Sequence, residues 1–126
     1  MKHFFGFSLI ELVVSSLILS FLLLGTNAMV FHALYKTESA YYFQISIAQM
    51  NNITERLRSL TNKQGVAEQV RLWNEENKIT LPQGTGKVTG EFPLYRISIY
   101  WGGMPTNTCQ SLTIGSSGCL HNSIKI

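Results

Sequence analysis

The chain has 126 residues, 45% of them hydrophobic, with 10 Lys or Arg against 7 Asp or Glu and a net charge of +3. That excess is small and its cations are scattered, which argues against a nucleic-acid-binding surface, and the length allows one domain. All the acidic residues are Glu, and the histidines stand apart at His3, His32 and His121. No Ser/His/Asp set, catalytic carboxylate pair or metal-ligand cluster is apparent. Gly84-Thr85-Gly86 lacks the following Lys and Ser/Thr of a phosphate loop. The expectation is a protein that is not an enzyme and holds no cofactor and no metal.

The first element is an apolar run from Phe7 to about Phe31. About 20 apolar residues suffice for a helix to span a bilayer. Lys2 precedes the run, and the positive-inside rule then places the N-terminus in the cytoplasm and the rest of the chain outside. Glu11 is the only charged residue between Lys2 and Lys36. A charge near the centre of a membrane helix costs about 2.5–3.5 kcal/mol on insertion scales. Its partner must therefore be Lys2, a chain terminus or another subunit. Cleavage after Gly6 would create an α-amine on Phe7, just over one turn from Glu11. Such an amine has a pKa of about 7.7–8.0, so it carries charge near neutral pH. Each copy would then hold one amine and one carboxylate, and the two groups can pair between neighbours.

Gly6-Phe7-Ser8-Leu9-Ile10-Glu11-Leu12-Val13-Val14 resembles the class III leader junction of type IV prepilins and pseudopilins, usually GFTLIE followed by an aliphatic helix. Ser8 for Thr and Leu12 for Val are the departures. The resemblance implies removal of the leader 1–6 by a prepilin peptidase, N-methylation of Phe7, and a role for Glu11 in assembly. It also implies, as partners, other pilin and minor pilin subunits, an inner-membrane assembly platform, and the lipid bilayer before assembly. The implied location is the bacterial inner membrane, head periplasmic, and then a surface pilus. A signal anchor, or a secretory signal cut near Thr26-Asn27-Ala28, would explain the apolar run but not Glu11.

Helical character continues beyond the run, since neither Gly nor Pro occurs from Thr26 through Gln64. Tyr42, Ile45, Ile53, Leu57 and Leu60 recur at helical spacing, with Gln49 as a gap and Phe43, Ile47 and Met50 alongside. A stem over 7–60 follows, about 80 Å long at 1.5 Å per residue, membrane-spanning over 7–31 and amphipathic after it. Ser8, Glu11 and Ser15, and Ser16 with Ser20, form small-residue lines that allow helices to approach closely in lipid.

The remainder, 61–126, reads as a small head with a disulfide loop. Val66, Val70 and Trp73 fit a second helix ending near Asn77. Leu81 through Gly86 is a turn-rich break. Leu94–Trp101 alternates as a strand, with Tyr95, Ile97, Ile99 and Trp101 on one face and Arg96, Ser98 and Tyr100 on the other. Lys87-Val88-Thr89 is its expected neighbour, Gly102-Gly103 a turn, and Ser111–Ile114 and Asn122–Ile126 further short strands. Helical signals first and strand signals last indicate an α+β class: a long N-terminal helix on a small antiparallel sheet.

Cys109 and Cys119 lie on the exported side, where oxidising conditions favour a disulfide. Closing a loop of that length contributes roughly 2.5–3 kcal/mol in the chain-entropy model. Two free thiols, or half of a metal site, are the other readings. The head carries a second resemblance. Glu55-Arg56-Leu57-Arg58, Trp73, the Leu81-Pro82-x-Gly84-x-Gly86-x-Val88 run and a strand ending in Trp101 are similar to PilV-type minor pilins. That family implies a low-abundance subunit that enters or primes a pilus, near its tip. A minor pseudopilin of a type II secretion system shares the same stem, and a binding domain without a filament role is the alternative from a different class.

Overall fold

The computed structural model describes residues 6, 8–60, 63–107, 109 and 113–126. Helix α1 covers Leu9–Ser59, and a three-residue 3-10 turn, Lys63–Gly65, leads into α2, Val66–Thr80. Four strands follow: β1 Thr85–Glu91, β2 Leu94–Trp101, β3 Thr113–Ile114 and β4 Ser117–Lys125. They form one antiparallel sheet in the order β1-β2-β4-β3. This is the α+β, pilin-like arrangement expected from the sequence. The chain divides into two compact units, 1–35 and 36–126, so the second half of α1 belongs with the sheet.

In the second unit α1 turns a line of side chains inward. Ser46, Met50, Ile53 and Leu57 are buried, at spacings of four, three and four, one helix face. The expected line placed Met50 at the side and passed over Ser46. Instead Ser46 begins the buried line, fully covered, with its hydroxyl donating to the Phe43 carbonyl at 2.7 Å. Ile47, expected in the apolar stripe, is exposed. The inner sheet face supplies Tyr95, Ile97, Ile99 and Ile124, and with Trp73, Leu81 and Trp101 they complete the core.

Helix α2 is fastened to both neighbours. Arg56 pairs with Glu76, its Nε donates to Asn52 Oδ1 at 2.9 Å, and the Asn52 amide donates to the same glutamate at 3.1 Å. Trp73 Nε1 donates to the Gln49 carbonyl at 2.9 Å. The next residue, Asn74, holds Gly86 of β1 twice, accepting from its N–H at 2.6 Å and donating to its carbonyl at 3.0 Å. Trp73 lies against Gly86 so closely that a Cβ there would overlap ring atoms Cζ3 and Cη2. Helix α2 ends three residues later than the periodicity suggests. Its last turn, Asn77 to Thr80, exposes Ile79 and so shows no apolar repeat. Pro82 disfavours the α region for Leu81, which is extended at φ −123°, ψ 141°.

Strands β1 and β2 form a hairpin with Glu91 opposite Leu94 across Phe92-Pro93, whose peptide bond is cis. After β2 the chain turns through Gly102 and Gly103, both at positive φ, 67° and 76°, where a side chain would be strained. Strand β4 runs from Ser117, well before the expected Asn122, because it pairs with the whole of β2, Trp101 opposite Gly118 and Leu94 opposite Lys125. Of the expected strand at Ser111–Ile114, Thr113–Ile114 is formed; Ser111 and Leu112 lie outside the described residues. Cys109 and Cys119 are joined by a disulfide.

The close seat of Trp73 on Gly86 makes Gly86→Ala an overpacking change, expected to destabilise the head by about 1–3 kcal/mol. Urea unfolding followed by tryptophan fluorescence measures this, and an unchanged midpoint would show that the ring yields.

Candidate functional site

In the first compact unit no described side chain is covered: from Ser8 through Tyr35 every residue is exposed. Leucines, valines and phenylalanines dominate this stretch, and α1 is long and apolar enough to cross a membrane. A water-exposed apolar surface of this extent marks a lipid or protein contact. Its hydroxyls are bonded within the helix itself. Ser16 donates to the Val13 carbonyl and Ser20 to the Ser16 carbonyl, each at 2.8 Å, and Thr26 donates to the Leu23 carbonyl at 3.0 Å. Polar groups satisfied internally are compatible with hydrocarbon surroundings. Two of the serines expected to mark a packing face, Ser16 and Ser20, line a groove of about 360 Å³ with Val13, Leu17, Phe21 and Leu24.

Glu11 lies in the first turn of α1. Its own N–H and that of Leu12 donate to the Ser8 carbonyl at 3.0 and 3.2 Å. An acidic side chain at a helix N-terminus gains about 0.3–1 kcal/mol from the aligned peptide dipoles. The insertion cost of a charge reaches about 2.5–3.5 kcal/mol only at mid-membrane; in the first turn Glu11 bears less, and the helix end offsets part of it without supplying an opposite charge. The ion pairs formed among the described residues are Arg56–Glu76, Arg58–Glu55, Arg71–Glu68 and Lys78–Glu75. All belong to the second unit and none involves Glu11.

Gly6 stands just before α1, and a Cβ built on it would meet nothing within 4 Å. Among the described residues, packing therefore makes no demand for glycine there. Phe7, across the expected cleavage point, and Lys2 of the expected leader lie outside the described residues. Cys109 and Cys119 sit in the head, in the other unit.

Reading the chain as a sequence did not single out a second group of polar residues. Arg96, Ser98, Tyr100, His121 and Ser123 share a cavity on the outer face of the sheet with Asn107 and Cys109. No spacing along the chain signals it, because the β2–β4 register and the disulfide create it.

The prokaryotic N-terminal methylation motif matches residues 1–27. No curated protein and no solved structure matches the chain. The motif supports a type IV pilin-like or pseudopilin protein and points to a structural subunit rather than an enzyme. Such a leader implies cleavage by a prepilin peptidase and assembly with other pilins, and with the apolar helix it suits membrane anchoring followed by incorporation into a pilus.

Intact-mass and N-terminal sequencing of the protein from its native membrane should give a product beginning at Phe7, heavier by one methyl group than the trimmed sequence. A start near Met29 would indicate an ordinary secretory signal, and a retained Met1 an anchor.

Proposed function

We propose that this chain is a minor type IV pilus subunit of the PilV type, made as a prepilin and built into or priming the filament near its tip. In this reading residues 1–6 are the leader, 7–60 the helical stem with 7–31 in the membrane, and 61–126 the head. The precursor sits in the inner membrane with its N-terminus cytoplasmic and its head periplasmic. Prepilin peptidase cuts between Gly6 and Phe7, and Phe7 is N-methylated. The assembly platform then moves the subunit from lipid into a bundle of other pilin stems.

The observation that carries this reading is the isolation of Glu11 on the exposed apolar stretch of α1 from Leu9 to Tyr35. A subunit that stayed in lipid would bear most of the cost of that carboxylate without return. One that enters a bundle of similarly trimmed pilin stems gains a protonated N-terminal amine from a neighbour. In a low-dielectric interior the attraction between such charges is several times its value in water. The back-bonded Ser16 and Ser20 and the groove they line give neighbouring stems a face for close packing.

Glu11→Ala should leave insertion and leader removal intact but lower incorporation into sheared pili at least about tenfold, the equivalent of roughly 1.4 kcal/mol. Quantitative blotting of sheared and membrane fractions measures it, and equal incorporation of the variant would contradict the reading. Incorporation dependent on a secretion system's major pseudopilin, and not on a pilus, would move the subunit to the type II secretion class while keeping the role of Glu11.

A further inference from the structure

The outer face of the sheet, opposite the helices, carries a built cavity. In antiparallel pairing, residues directly opposite each other project to the same face. The register places Arg96 opposite Ser123, Ser98 opposite His121 and Tyr100 opposite Cys119. Their alternates Tyr95, Ile97 and Ile99 fill the core, so these six point away from it. Simple alternation would leave them to solvent. Ser98 and Tyr100 are nevertheless buried, at 9% and 5% exposure. The chain after Trp101 comes back over this face, where the Cys109–Cys119 bond holds it. Asn107 and Cys109 thus complete a cavity of about 480 Å³. Sites for small molecules run from about 300 to 1,000 Å³.

The lining has a definite chemistry: one guanidinium, the hydroxyls of Ser98, Ser123 and Tyr100, the Asn107 amide and the His121 imidazole, with no carboxylate. Lys87 faces Ser98 from β1, and Lys125 faces Leu94 from β4, diagonal to Arg96. Glu91 also faces Leu94, from β1, and is likewise diagonal to Arg96, so the paired strands give this face three cations, Lys87, Arg96 and Lys125, against one carboxylate. Arg96 also differs from the other arginines. Arg56, Arg58 and Arg71 each pair with a glutamate, whereas Arg96 forms no salt bridge among the described residues. A guanidinium presents five N–H donors in a fork that fits a carboxylate or phosphate.

We propose that this cavity binds an acidic sugar unit, a pyranose bearing a carboxylate or a phosphate. Arg96 takes the anionic group, while Ser98, Ser123 and Asn107 exchange hydrogen bonds with the ring hydroxyls. The disulfide fixes the wall in advance, which reduces the ordering cost of binding. A single-stranded nucleic acid fits less well, since its bases need exposed aromatic rings to stack on and Tyr100 is buried.

The test is calorimetric titration of the full mature chain in detergent micelles with glucuronate, glucose 6-phosphate, glucose and inorganic phosphate. One of the two acidic sugars should bind saturably, at least about tenfold tighter than glucose or inorganic phosphate, and which one does identifies the anionic group. Arg96→Gln, at an exposed position, should weaken that binding at least about tenfold, the equivalent of roughly 1.4 kcal/mol. Ser123→Ala should weaken it less. Absence of binding by both acidic sugars would overturn the proposal, as would equal binding of glucose or of inorganic phosphate. So would an affinity that Arg96→Gln leaves unchanged.

Discussion

A single carboxylate on an apolar helix is the constraint on which the rest depends. Position 11 is followed by no other Lys, Arg or Glu until Lys36, and within the first unit every described residue from Ser8 to Tyr35 is exposed. Two magnitudes decide what this means. The helix N-terminus returns about 0.3–1 kcal/mol to an acid in its first turn, against an insertion cost of about 2.5–3.5 kcal/mol at mid-membrane. Glu11, in the first turn, bears less than that mid-membrane figure, and the dipole offsets part of what remains without supplying an opposite charge. In the function proposed above, the opposite charge comes from outside the helix, from the trimmed N-terminus of a neighbouring subunit. Gly6 likewise has no close neighbour that a side chain there would meet, and in the proposed function it is the prepilin peptidase that reads it.

The head solves a different problem, that of making a stable unit from few residues. It borrows the second half of α1 as one wall of its core, with Met50, Ile53 and Leu57 facing the sheet residues Ile97 and Ile99. Trp73 and Asn74 then register α2 against both neighbours, the indole bonded to the Gln49 carbonyl and the amide to both backbone groups of Gly86. The glycines of the turn-rich break are thus packing positions, not phosphate-binding ones. The disulfide works on the far side of the sheet, where it brings Cys109 to β4 and encloses Arg96, Ser98 and Tyr100.

How much of this could be read from residues alone follows from the range of each interaction. The apolar run, Glu11 and the bounds of β2 are local patterns, and the structure places a helix and a strand on them. The buried line of α1 was only partly legible, because Ser46 is small and polar yet suits a close approach to the core, while Ile47 is apolar yet exposed. Strand β4 was half hidden. Gly118, Cys119, His121 and Asn122 have weak strand preferences, and pairing with β2 along its whole length overrides them. The outer-face cavity could not be read at all, for it needs the register of two strands distant in sequence and a covalent link between Cys109 and Cys119.

The most direct test of the central claim is zero-length carbodiimide cross-linking of assembled filaments, followed by peptide mass spectrometry. The account predicts an amide between the Glu11 carboxylate of one subunit and the N-terminal amine of another, absent when the same protein is held unassembled in detergent. Filaments in which Glu11 joins no subunit's N-terminus, although other amine–carboxylate pairs do cross-link, would contradict it.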